Sequence, residues 1–230
     1  MRARMYLDQC DHHSNHRLDL PPPEQMGRRW SLHAAVLAAR GPRWSDSTHA
    51  RVPGTWHYDD GSGNWADLRL VTGKRAVLIG HDHEYSDTYF GAAAEYFGEK
   101  ETDLLADTPS WWSQAIADYL TGSEQENIWI GFVYGFDGKN WSRASYSADD
   151  GFTALDPPFL ADDNLVDTVA RQLAGYADDH MLLARADHSD IVHALDECPA
   201  LTIPTAERLL SGRTGDAGIA VEAARAFIDT

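Results

Sequence analysis

The chain is poor in several things that would narrow its class. Cysteine occurs twice in 230 residues, at Cys10 and Cys198. Two cysteines so far apart make no disulfide framework, and neither belongs to a paired-cysteine metal motif, so a reducing cytoplasmic setting is expected. No apolar run approaches the ~20 residues of a membrane-spanning helix, and the first residues lack the apolar stretch of a secretory signal. A membrane partner is therefore not expected. Positive charge is scarce too: 19 basic residues stand against 36 acidic ones, for a net charge of -17. The deficit is uneven, with a balance of +3 in residues 1–51 and -20 in residues 52–230. Phosphate backbones are repelled by such a body, which excludes nucleic-acid binding through it. Basic partners are attracted and their encounter is accelerated. Gly-x-Ser-x-Gly elbows, phosphate-binding glycine loops and dinucleotide fingerprints are all missing.

What is present begins with Pro21-Pro22-Pro23, which opens a helix over Glu24–Arg40. Met26, Trp30, Ala34 and Leu37 fall on one face, and Gly41-Pro42 closes it. Arg28, Arg29 and Arg40 make the other face basic, so the helix is expected to clasp the acidic body. Residues 43–53 read as a linker where the charge balance changes sign. The expected domains are residues 1–51, a tail and basic helix packing on the body, and residues 52–230, a single acidic α+β domain. Removing the first 44 residues is then expected to leave a folded body that is less stable and more sensitive to low salt.

A three-strand meander follows. Thr55–Tyr58 is β-prone, Asp59–Asn64 is a turn, and Ala66, Leu68 and Leu70 alternate with Asp67 and Arg69. Arg75–Gly80 is apolar on both faces and so central. Helices are expected over 86–98 and over Pro109–Leu120, with Thr108 as N-cap. Ile128–Phe136 reads as a buried strand in which Gly131 and Gly135 leave room for something close by. Asp137-Gly138 turns it into Trp141–Tyr146. Asp149–Asp163 is an acidic loop, and helices from Asp163, Asp187, Thr205 and Ala217 complete the chain. Met181–Ala184 fits either a helix end or a short strand. The fold class is α+β, with a mostly antiparallel central sheet flanked by helices and a helical N-terminal extension.

The sharpest motif is Gly80-His81-Asp82-His83-Glu84 at the end of the apolar strand. Two imidazoles two residues apart, with Asp82 beside them and His57 on the neighbouring strand, are a zinc or manganese donor set. A bound metal would supply hydroxide near neutral pH. Strand-Gly-His-x-His resembles one motif of the calcineurin-like metallophosphoesterases, whose Asp-x-His, Gly-Asp and Gly-Asn-His elements do not precede it here. Cys10-Asp11-His12-His13 and His16 form a polar tract with no zinc spacing.

Eight tryptophans and several Asp-Asp pairs remain. Trp111 and Trp112 are adjacent on a helix and cannot both face the core, so one is expected to face solvent, where aromatics beside carboxylates make protein-binding hot spots. Most Asp-Asp pairs suit caps and turns. The favoured reading is a non-enzymatic acidic interaction protein that binds a basic protein partner through Trp111, Trp112, Asp149 and Asp150 and needs no cofactor. It shares its charge profile with bacterial immunity proteins that neutralise basic toxins. The alternative is a metal-dependent hydrolase on His81, His83, Asp82 and His57, with zinc or manganese. A second alternative is a small-molecule-binding domain with the Gly131–Gly135 strand lining its cavity.

Overall fold

Alternation builds the sheet, and aspartate turns set its register. A computed structural model describes residues 16–121, 129–174 and 186–228. Seven strands pair antiparallel throughout: β1 (His16–Leu18), β2 (Thr48–Val52), β3 (Thr55–Asp59), β4 (Trp65–Val71), β5 (Arg75–His81), β6 (Phe132–Phe136) and β7 (Trp141–Arg143). Their order is β1-β7-β6-β5-β4-β3-β2. Between β3 and β4, Asp59 accepts from Gly61 N (2.6 Å) and Asp60 from Ser62 N (2.7 Å), the aspartate-to-backbone bonds that make such turns. Asp137 does the same between β6 and β7, accepting from the backbone N–H groups of Lys139 and Asn140.

Among the described strands, β1 alone breaks the meander, joining the edge opposite β2. The helix α1 (Pro23–Arg40) connects these two edges. Its 18 residues span about 27 Å at 1.5 Å each. Seven strands at about 4.8 Å spacing are about 29 Å across. The helix is thus long enough to cross the whole sheet.

That course makes α1 the central helix rather than a surface clasp. Thirteen of its residues are buried. Met26, Trp30 and Ala34 pack on the sheet with Trp56, Leu68, Leu78 and Phe132. Leu32, Ala35, Val36 and Ala39 pack on the opposite side against α7 (Asp162–Ala174), α8 (His188–Glu197), α9 (Ile203–Leu209) and α10 (Ala217–Arg225). Gly27 is needed inside it because a Cβ there would sit 2.6 Å from the Trp56 ring. Arg28 and Arg29 still reach acidic partners, at Asp196 (3.1 Å) and Asp162 (2.5 Å). The charge break at residue 51 falls inside β2, in the sheet itself.

The other sheet face is covered by α4 (Ser110–Ala115) and α5 (Ala117–Thr121). One helix was expected there; the chain breaks it at Ile116, and Thr108 bonds back to the Leu105 carbonyl instead of capping. Trp112 lies flat in the notch of Gly135, where a Cβ would be 2.0 Å from the indole. The helix expected over 86–98 shortens to α3 (Ala92–Phe97). Two short helices are also present among the described residues, α2 (Pro42–Ser45) and α6 (Phe152–Leu155). Met181–Ala184 and the tract around Cys10, His12 and His13 lie outside the described residues. Among the described residues, no helix is long and apolar enough to cross a membrane.

Candidate functional site

The two histidines that end β5 have different environments. His81 is buried, and its ring stacks on Trp129 at 4.4 Å. Burial lowers its pKa to about 4 against the opposing pull of Asp82, so the imidazole is neutral at neutral pH. His83 is exposed, and its backbone N–H donates to Asn64 Oδ1 (2.8 Å). Asp82, also buried, accepts from Glu84 N (3.0 Å) and Tyr85 N (2.8 Å), so this carboxylate shapes the turn. His57 lies on β3, separated from β5 by β4, hence about 10 Å across the sheet. The structure therefore does not bring His57 to His81. Among the described residues, no three His, Cys, Asp or Glu side chains are grouped to hold a metal ion.

His57 instead belongs to a buried network. Its Nδ1 donates to Asp67 Oδ1 at 2.5 Å, across the β3–β4 pair. The other Asp67 oxygen accepts from the Tyr119 hydroxyl and, at 3.3 Å, from Arg51. Asp67 is fully buried, and such a carboxylate is tolerable only when paired and hydrogen-bonded. Arg69 adds its guanidinium over the Tyr119 ring (4.6 Å) and an ion pair to Asp118 (2.5 Å). The network ties β2, β3, β4 and α5 together. Among the described residues, the imidazole is held between Asp67 and, at 3.4 Å from its Nε2, Arg51.

The predicted binding residues Asp149 and Asp150 lie in a cleft of about 470 Å³ between β1, β7 and the loop around α6. Four carboxylates line it: Asp19, Asp149, Asp150 and Asp156. Asp150 is the buried one. Its Oδ2 accepts from the hydroxyls of Tyr134 (2.7 Å) and Tyr146 (2.8 Å), and its Oδ1 from Phe152 N (3.3 Å). All three donors are neutral. Arg143 also lines the cleft, but its guanidinium lies over the Tyr146 ring at 4.0 Å and donates to the Tyr146 carbonyl (3.3 Å). Burial, then the Asp150 charge, push both tyrosine hydroxyls well above their ordinary pKa, so they remain protonated donors.

This cleft is built on the end of β5. Ser86 Oγ donates to the Asp150 carbonyl (2.8 Å), and Asp87 N to the Asp149 carbonyl (2.7 Å). Gly151, at φ 76°, fits because a Cβ would strike Ser86 Oγ at 2.6 Å and Asp82 Cβ at 2.7 Å. The Gly-His-Asp-His motif thus supports the acidic loop.

From Asp87 the chain leads to an aromatic patch. Tyr89 stacks on Trp129 (5.2 Å), Phe97 lies 4.8 Å from Trp129, and Tyr96 lies 4.9 Å from Phe97. Tyr96 is 80% and Phe97 49% exposed, among the exposed Glu95, Glu99 and Glu101. These are the solvent-facing aromatics that the count of tryptophans suggested, but at other positions. Trp112 is only 1% exposed, so no partner reaches it, and Trp111 is half-buried beneath Arg75. Both lie on the sheet face opposite Tyr134, so Trp111 and Trp112 do not join Asp149 and Asp150 in one site. Gly131 and Gly135 do admit close neighbours, Ser86 and Trp112 of the same chain.

Comparison of the chain with known families, with curated proteins and with solved structures finds no match.

Proposed function

We propose that the chain is a non-enzymatic binding protein of a reducing cytoplasm whose partner is a basic protein. A lysine or arginine of that partner enters the aspartate cleft, and an apolar residue rests on Tyr96 and Phe97. One observation carries this reading: the cleft gathers four aspartates, the buried Asp150 held among the described residues by the neutral Tyr134, Tyr146 and Phe152 N–H donors, against one lining cation, Arg143, that is engaged by Tyr146. A cation about 4 Å from one carboxylate near a protein surface gains about 4 kcal/mol before its own desolvation is subtracted. The net charge of -17 draws such a partner in and weakens the encounter as salt rises. Exposed aromatics among carboxylates supply the anchor that charge alone lacks.

The reading is tested by calorimetric titration of a lysine-rich peptide into the protein at low and at near-physiological salt. Saturable binding that weakens with salt, and that moves the Tyr134 and Phe97 resonances in NMR spectra, supports it. A titration with no saturable heat at low salt, or resonance changes confined to other surfaces, overturns it.

A further inference from the structure

A second cavity, of about 600 Å³, opens at the other end of the sheet, and its chemistry is opposite to that of the cleft. Its walls are apolar: Trp56 and Phe136 from the sheet, Leu70 at the end of β4, and Pro199 and Phe227 from the helical layer. The volume lies in the usual range for small-molecule sites. The same cavity is bordered by Arg28, Lys74 and Arg75, with Glu24 as the one acid. Of these, Arg75 turns its guanidinium to Trp111 on the other face of the sheet, which leaves Lys74 as the cation of this border without a partner among the described residues.

Two further observations bear on this place. Trp56 is buried, yet its indole N–H has no hydrogen-bond partner among the described residues. Most buried polar groups have one, so an orphan donor beside a cavity marks a place for an acceptor or a ligand. Lys74 holds φ at 61° in the turn between β4 and β5, next to Gly73 at φ 80°. Glycine or asparagine is the residue expected in that conformation. A lysine is strained there, and strain of this kind gathers at binding sites. Arg28 is engaged by Asp196 and the Leu195 carbonyl, and Arg75 by the Thr72 carbonyl and the Trp111 ring. Among the described residues, the Lys74 ammonium has no partner.

We infer that this cavity binds an amphipathic carboxylate, with its hydrocarbon body against Trp56, Leu70 and Phe136 and its carboxylate held at the mouth by Lys74. An uncharged molecule of the same length would fill the same walls but leave the ammonium unused. The inference is independent of the cationic partner proposed for the cleft, which lies at the opposite end of the sheet.

The probe is sodium decanoate, with decan-1-ol as its neutral counterpart, followed through the Trp56 indole N–H resonance assigned by Trp56→Phe. Decanoate should shift that resonance saturably and bind more tightly than decanol. Lys74→Gly relieves the strained turn, so its melting temperature should be equal or higher. Its decanoate affinity should fall roughly two- to five-fold, the range of a solvent-exposed ion pair, with decanol binding unchanged. No saturable shift by decanoate up to about 1 mM, the weak end of specific affinity, would overturn the inference. So would equal binding of acid and alcohol, or decanoate binding indifferent to Lys74→Gly.

Discussion

His33 gives the protein a specific weakness to acid. It sits on α1 between the sheet and the helices, only 4% exposed. Gln172 Nε2 donates to its Nε2 (2.7 Å), and its Nδ1–H donates to Thr48 Oγ1 (3.1 Å). Both partners are neutral, so a protonated ring would bring a charge into the core with no anion to meet it. Burial accordingly lowers its pKa from 6.5 to about 4. In the unfolded chain the ring titrates near 6.5, so between those values the unfolded state binds more protons. Stability from this group is therefore complete above pH 6.5 and is lost as pH falls toward 4. Between pH 7 and pH 5 the loss is about 2 kcal/mol, a large share of the 5–15 kcal/mol typical of whole domains. Urea unfolding of the native protein and of His33→Gln, measured at both values, tests it. The variant keeps a hydrogen-bonding side chain but does not titrate. Its stability should fall between the two pH values by about 2 kcal/mol less than that of the native protein. Equal falls in the two proteins would refute the reasoning.

Other outcomes follow from the packing. Gly135→Ala sets a methyl 2.0 Å from Trp112 and should cost about 1–3 kcal/mol, lowering the melting temperature by roughly 3–10 °C. Gly135→Ala with Trp112→Leu should recover part of that, and thermal scans of the single and double variants read it. Removing residues 1–40 deletes Met26, Trp30, Leu32, Val36 and Leu37 from the core. At about 2 kcal/mol each, that loss equals the stability of a typical domain, so the remainder should show no cooperative unfolding transition.

Much of the sheet could be read from the residues. Hydrophobic alternation in β4 and the turns around it place the three-strand meander β3–β4–β5, and the apolar run of β5 puts it in the interior of the sheet. The β3–β4 turn even carries the register: His57 pairs with Asp67 as Trp56 does with Leu68. Alternation places Asp67 on the face opposite Leu68, which for a charged residue is ordinarily the solvated face. Here it is not, because α5 covers that face and Tyr119 meets the carboxylate. The role of α1 was illegible for a related reason. Its apolar stripe predicts one buried face, whereas small residues, Ala35 and Ala39, let helices pack on the other side too. Asp149 and Asp150, adjacent in the sequence, both line the candidate cleft. The aromatic patch was missed because Tyr96 and Phe97 look like an ordinary helix end, and nothing local ties them to Trp129, some thirty residues on.

The cleft itself provides the most direct test. Asp19, Asp149 and Asp156 are exposed, and asparagine suits each position, including Asp156 at φ 37°. The triple Asp→Asn variant should keep the native melting temperature while its affinity for a lysine-rich peptide at low salt falls about tenfold, as three exposed charge contacts imply. A triple variant that binds the peptide as tightly as the native protein would contradict the account.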